Sequence, residues 1–314
     1  MNICNKKDKA IGSIIGCAIG DALGAPVEFK ARGSFEPVDG YRSGGKFNLP
    51  AGAYTDDTAM MLCLAQSLID KNGFDAHDQL QKYCDWLNSG YLSATGKSVG
   101  CGKHTYRALL NYMHKKETIC TVGNNRSAGN GSLMRIAPIA IYYMENLNKA
   151  LEYASLSSYT THKLKVCADA CIAFTWLLFG FYKGFSKEDI LSKEYANYYL
   201  FEYSPSYEYE PEVIEVLQGS YKNKTANKIE SSGYVIHSLE AALWAFYNSN
   251  NFKDGALKAV NLGFDSDTIA AIYGTITGAC YGFENIDKDL VSGLMHNKKI
   301  IDIANKLYEN RYKK

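Results

Sequence analysis

Tyr54-Thr55-Asp56-Asp57-Thr58-Ala59-Met60-Met61-Leu62-Cys63-Leu64 changes character in a single step. Two carboxylates set between hydroxyls give way to an apolar run over 59–64, and apolar residues then cover nearly the whole circumference of a helix to about residue 70. That pattern predicts a central, buried helix with hard oxygen donors at its mouth. Taken singly the mouth is ambiguous, because Thr and Asp are favoured N-caps and acidic groups sit well against the positive end of a helix dipole. A second copy, Phe264-Asp265-Ser266-Asp267-Thr268, is again followed at once by an apolar run, 269–276, and weighs against simple capping.

If the fold brings the two mouths together, four carboxylates share one pocket, repel one another and raise one another's pKa. Multivalent cations remove that cost. Carboxylate and hydroxyl donors with no His or Cys in either motif select Mg²⁺ or Mn²⁺ over Zn²⁺. The expectation is a one- or two-metal site with Asp56, Asp57, Asp265 and Asp267 as anionic ligands and Thr55 and Thr268 as neutral ones.

The surrounding chain suits such a site. Its 314 residues, 46% hydrophobic content and net charge of +1 describe an enzyme-sized globular chain and no bulk electrostatic footprint for nucleic acid. The nine cysteines are scattered without a CxxC pair and read as small buried hydrophobes in a reducing cytoplasm. Cys167 and Cys171, one helical turn apart, read as packed thiols on one helix face. At the N-terminus Lys6-Lys7-Asp8-Lys9 precedes an apolar run that superficially resembles a signal peptide, but it carries glycines at 12, 16 and 20 and continues into Asp21-Ala22-Leu23-Gly24-Ala25-Pro26 without a clean cleavage site. A buried helix with glycines spaced for close packing accounts for it better. No other stretch approaches a membrane span.

Glu28 stands at the end of that helix, and a long glycine-rich loop, 32–52, leads to the first acidic mouth; loops of that length in a domain are usually functional. Thr95-Gly96-Lys97-Ser98 invites a phosphate-loop reading but lacks the earlier glycine, the preceding strand and the following helix. Arg126-Ser127-Ala128-Gly129-Asn130-Gly131-Ser132-Leu133-Met134-Arg135 is a better cradle for a phosphate or diphosphate, since its glycines admit close backbone approach and the loop feeds a helix expected over about 133–143. His162 precedes a long apolar helix, 166–181. The aromatic, acidic stretch 195–212 reads as a surface insertion or lid more than as core. With helices also expected over 79–88, 105–114, 235–248 and 252–261 and few convincing strands, the chain predicts a compact all-α, multi-helix domain over 1–314, its site at clustered helix N-termini and a lid or insertion around 195–230.

Six motifs in order, Gly20-Asp21-Ala22-Leu23-Gly24 with Glu28, Tyr54 to Thr58, Gly129-Asn130-Gly131-Ser132-Leu133-Met134-Arg135, Thr161-His162, Gly233-Tyr234 with Leu239-Glu240-Ala241-Ala242-Leu243-Trp244, and Asp265-Ser266-Asp267-Thr268, resemble the ADP-ribosylglycohydrolase family across roughly residues 10–285. The resemblance implies an all-α domain with two Mg²⁺ or Mn²⁺ ions that cleaves the ribose C1 bond between ADP-ribose and an acceptor. It implies Thr55, Asp56, Asp57, Asp265, Asp267 and Thr268 as metal ligands, Glu28 close to the substrate ribose or a metal, Gly129, Asn130, Gly131 and Ser132 around the diphosphate, and His162 and Tyr234 against the ADP-ribose. Phe264 departs from the family pattern, standing where many members have a second glycine, and 195–212 has no assignable counterpart.

The residues suit that chemistry, because a ribosyl transfer passes through an oxocarbenium-like species that needs fixed ribose hydroxyls, negative potential near C1 and a positioned water. Asp56 or Asp57 is expected to take the proton from that water, with Glu28 positioning the acceptor. The expected substrate is a mono-ADP-ribosylated protein, arginine favoured. The rivals are a hydrolase of O-acetyl-ADP-ribose or another ADP-ribose adduct, and a catalytically silent binding or immunity protein. A monomer is expected from the balanced composition.

Overall fold

The first helix, α1 (Lys6–Gly24), and the thirteenth, α13 (Ser266–Tyr281), run antiparallel with their backbones in contact. Any Cβ at Gly12, Gly16 or Gly20 would overlap the carbonyl oxygen of Gly278, Gly274 or Ala270 in turn, and one at Gly24 would strike the backbone of Asp267. Glycine costs about 1 kcal/mol relative to alanine inside a helix, so four on one face make sense only because the stripe lets the two helices close to backbone distance. The register has a functional result: it sets the C-terminal end of α1, with Asp21 and Glu28, beside the N-terminus of α13.

The computed structural model describes residues 5–204 and 206–312. Among them fifteen α-helices follow in order: α1; α2 (Asp56–Lys71), α3 (Ala76–Ser89), α4 (Lys103–Lys115), α5 (Ala137–Tyr142), α6 (Leu147–Tyr159), α7 (Lys165–Lys183), α8 (Lys187–Ile190), α9 (Lys193–Asn197), α10 (Pro211–Leu217), α11 (Val235–Tyr247), α12 (Phe252–Val260); α13; α14 (Lys288–Gly293) and α15 (Asn297–Glu309). The fold is all-α. Among the described residues, β-pairing is limited to two isolated bridges, Gly44 with Leu49 and Gly129 with Tyr234.

Around the central pair, α12, α7, α2 and α15 pack on α1, while α11, α12 and α7 pack on α13. By length and composition α1, extended to Val27, and α7 could each cross a membrane, which for α7 corrects the expectation that no other stretch approaches a span; 100% and 83% of their apolar windows are buried inside the protein, which is how a core helix meets the same test. Asn5 caps α1 by accepting from the Asp8 N–H at 3.1 Å. Asn72 in the left-handed region closes α2.

The helix foreseen over about 133–143 is shorter: residues 131–135 form turns, and α5 begins at Ala137 with Pro138 in its first turn, where a missing N–H costs nothing. The segment 195–212, expected as a surface insertion or lid, is exposed along much of its length and anchored to the core by a few buried tyrosines. Tyr195 and Tyr199 are buried and stack on Trp176 with centroids 4.6 and 4.7 Å away. Tyr207 donates to buried Asp169 at 2.7 Å, and the Glu210 N–H donates to the same carboxylate at 2.8 Å. Pro205 lies outside the described residues.

Candidate active site

Asp21, Glu28, Asp56, Asp57, Asp265 and Asp267 converge where α1 ends and α2 and α13 begin. All are buried except Asp265, which is half-buried. Oxygens of Asp21, Asp57 and Asp267 lie within 4.8 Å of one another, and so do oxygens of Glu28, Asp265 and Asp267. Asp267 belongs to both groups, so the two acidic mouths predicted from sequence form one centre with two lobes.

Asp21 is the residue that sequence reasoning left without a role. Thr55, the N-cap of α2, makes no capping bond of its own. Asp21 supplies it from another helix, accepting from the Thr55 N–H at 2.9 Å and hydroxyl at 2.8 Å and from the Thr58 N–H at 3.0 Å and hydroxyl at 2.7 Å. Four donors on one carboxylate hold α2 against α1 and orient Asp56 and Asp57. A signal was present in the sequence: a lone acid inside an otherwise apolar helix must find partners elsewhere in the fold.

Burial raises every acid of the cluster, and neighbouring carboxylates add to it at Glu28, Asp56, Asp57 and Asp267. Burial, then the charges of Asp56 and Asp265, pushes Glu28 up to about 8. Burial and Asp21 push Asp56 to about 7, and burial pushes Asp265 to about 6 against the opposing hydrogen bond from Asn130. Asp57 and Asp267 stand well above the carboxylate range, burial first and neighbouring carboxylates second. Asp21 is also raised by burial, which its four donors offset in part. The buried Glu28 Oε2 and Asp57 Oδ1 have no hydrogen-bond partner. An orphaned carboxylate oxygen in low dielectric is costly, and a hard divalent cation relieves both costs together. The all-oxygen donor set, with the hydroxyls of Thr55 and Thr268 3.5 and 3.4 Å from Asp57 Oδ2, fits Mg²⁺ or Mn²⁺.

The cradle faces this centre. The Asn130 N–H donates to Gly233 O at 3.1 Å and the Val235 N–H to Ala128 O at 3.0 Å, so the loop carrying Gly129 is pinned to the start of α11. Two side chains of the cradle have partners within the protein. The Asn130 amide donates to Asp265 and to Ser238, 2.7 Å, and steadies the acidic centre. Ser132 is buried, accepting from Ser158 at 2.8 Å beside Cys171. Cys167 meets Gly129 O at 3.4 Å, so the paired thiols of α7 back the loop, as packed thiols should.

Buried Arg135 closes the loop. Its guanidinium stacks on Tyr83, 4.5 Å from the ring centroid, and donates to Thr161 Oγ1 at 2.7 Å. The Thr161 hydroxyl in turn shares a hydrogen bond with His162 Nδ1, 2.8 Å away. Burial, then Arg135, holds His162 well below its ordinary pKa, so a neutral ring lies beside Gly129 and Gly131. His104 of α4, unnoticed in the sequence, packs edge-on against it with centroids 5.0 Å apart. Tyr234 stands at the outer margin, its hydroxyl donating to Glu212 at 2.6 Å.

Fold and site together define an all-α protein with a hard-cation centre opposite a glycine-lined cradle. Residues 4–314 match the family model described as ADP-ribosylglycohydrolase. The chain is 36% identical over 306 residues to the ADP-ribosylarginine hydrolase Tri1 of Serratia proteamaculans, covering 96% of this chain and 79% of the relative. It is 28% identical to the ADP-ribosyl-[dinitrogen reductase] glycohydrolase of Rhodospirillum rubrum, covering 91% and 90% of the two chains. A solved structure described as an ADP-ribosylglycohydrolase-related protein complex superposes with a TM-score of 0.84 at 34% identity, covering 99% of this chain and 100% of its own. The chain belongs to the ADP-ribosylglycohydrolase family.

Proposed function

We propose that this protein hydrolyses the bond between ribose C1 of ADP-ribose and an arginine side chain of a modified protein, releasing ADP-ribose. The observation that carries the reading is the pair of oxygen clusters joined at Asp267 and flanked by the Gly129–Gly131 turn and the neutral His162 ring. One end suits cations and a ribose diol; the other suits a diphosphate. The arginine acceptor is supported by the activity in the name of the Tri1 relatives.

Asp57, Asp265, Asp267, Thr55 and Thr268, with Asp56 at the margin, would hold two Mg²⁺ or Mn²⁺ ions. Such ions, when bound, orient a diol and acidify water. Asp56 is the stronger candidate for the base: a Cβ on Gly100, which lines an open cleft, would strike its Oδ1, whereas Asp57 lies deep among Asp21, Asp267 and Thr268. Asp56 thus receives the proton of the attacking water, and Glu28 positions the leaving group. The His162 ring and the 129–131 backbone bind and orient the diphosphate.

The test is release of ADP-ribose from an arginine-modified protein, a serine-modified peptide and O-acetyl-ADP-ribose, each with Mg²⁺, Mn²⁺ or chelator. Metal-dependent release from the arginine substrate alone is expected. Turnover of only the other two would overturn the acceptor assignment, and binding of ADP-ribose without any turnover would overturn the activity.

A further inference from the structure

A cleft of about 690 Å³ opens directly above the acidic centre, bounded by Phe29, Lys46, Phe47, Cys101 and Lys103, with Gly100 in its wall. Its relation to the centre is given twice over. Gly100 abuts Asp56 so closely that a Cβ would overlap the carboxylate, and Phe29 directly follows Glu28 in the chain. Phe29 is held outward by a backbone rung to Phe264, the residue before Asp265: the Phe29 N–H donates to Phe264 O at 2.6 Å and the Phe264 N–H to Lys30 O at 2.7 Å. Both phenylalanines sit at positive φ and are about half exposed, 54% and 48%. Phe29 lines the cleft and Phe264 is tied to it through that rung; two large, half-exposed apolar rings in unfavourable backbone conformations are not explained by packing.

The charge at this rim is one-sided. Lys46 and Lys103 border the cleft, no carboxylate lines it, and neither lysine forms an ion pair among the described residues. Lys30 and Lys97, also exposed and unpaired, stand next to lining residues. Lys46 Nζ lies 4.1 Å from the Phe29 ring centroid, the ring face already carrying a cation. The cluster beneath is acidic, so the cleft changes sign from floor to mouth.

We infer that this cleft is the acceptor-side entrance and that it selects modified arginines whose flanking residues are acidic, Lys46 and Lys103 meeting the flanking carboxylates while the aromatic rim covers the arginine stem. The inference rests on the arginine-hydrolase reading of the same site. The charge gradient supports it: a modified arginine flanked by Lys or Arg would bring like charge to the mouth, and rim charges act chiefly on encounter and specificity.

The test uses the metal-loaded protein with free ADP-ribosyl-arginine and two arginine-modified peptides, one with Asp and Glu neighbours and one with Lys and Arg neighbours. The ratio of kcat/KM, acidic over basic, is expected to be about tenfold at low salt and to shrink as salt shortens the Debye length to about 3 Å at 1 M. The ratio should fall to about one in K46Q/K103Q and invert in K46E/K103E. A ratio near one in the unaltered protein overturns the inference. So does a parallel loss for both peptides and free ADP-ribosyl-arginine in the variants, which would assign the lysines to the diphosphate. If free ADP-ribosyl-arginine is not cleaved at all, the proposed activity fails by itself, and the ratio of Kd for the two uncleaved peptides then tests the cleft independently by the same criteria.

Discussion

The seam between α1 and α13 and the mouth it leads to are built on opposite terms. Along the seam small residues face one another and backbone touches backbone, with glycine at four positions of α1. A few residues further on, six acids share one space, each raised above its ordinary pKa, and two of their oxygens lack any donor. The first region is stabilised by close packing, the second is held together in spite of itself, and the register of the first imposes the second. Function here depends on a repulsive centre that the surrounding helices do not allow to relax.

Breaking the seam should have the largest effect. In Gly20→Val the new side chain meets the Ala270 carbonyl and cannot rotate away, so helix register must shift; a loss of at least about 3 kcal/mol, or no folded protein, is expected in chemical denaturation. Asp57→Asn should separate the two regions cleanly. It removes one of the repelling charges, so the metal-free protein should melt higher, while metal affinity measured by calorimetry should drop by at least about 100-fold and turnover with it. A fall in both apo stability and affinity would contradict the view of Asp57 as strained by its neighbours.

Asp21→Asn tests the joint between the regions. An amide offers one acceptor oxygen where four donors converge, so a loss of about 1–2 kcal/mol is expected from the missing cap, along with weaker metal binding although no acceptor or substrate group is altered. The cluster also predicts a pH dependence. A carboxyl whose pKa is higher folded than unfolded keeps its proton longer in the folded state, so its contribution is full below the unfolded value and lost as pH rises through the folded one. For Glu28 that window runs from 4.5 to about 8. Melting temperature in chelator should therefore fall across that range, and saturating Mg²⁺ should flatten the slope. The smallest change is expected from Phe264→Gly: relieving a phenylalanine at φ 55 should alter stability by no more than about 1 kcal/mol, in the favourable direction, and leave metal affinity alone.

Much of this was legible beforehand because the informative signals are local. The 3.6-residue periodicity announced the helices, and the spaced glycines of α1 announced its close packing. The abrupt step from acids to apolar residues marked both mouths. What misled was composition without context. The tyrosines around 199 looked like surface because they are interrupted by acids, yet Trp176 offers them a flat face to stack on. Asn130 and Ser132 sit in a glycine loop whose chemical type was legible, while the partners of their side chains, Asp265 and Ser158, came only with the fold.

By itself, then, the sequence determined the all-α architecture, the oxygen-rich donor types and the two helix mouths that carry them, since each is encoded within a dozen neighbouring residues. The tertiary structure alone decided that Asp21 caps a helix it does not belong to, that Asp267 is shared between two clusters, and that a cationic cleft opens over Asp56. Periodicity specifies which way a helix faces; which oxygen meets which donor depends on how far one helix slides along another, and here that is set by the overlap a single methyl group would cause at Gly16 or Gly20.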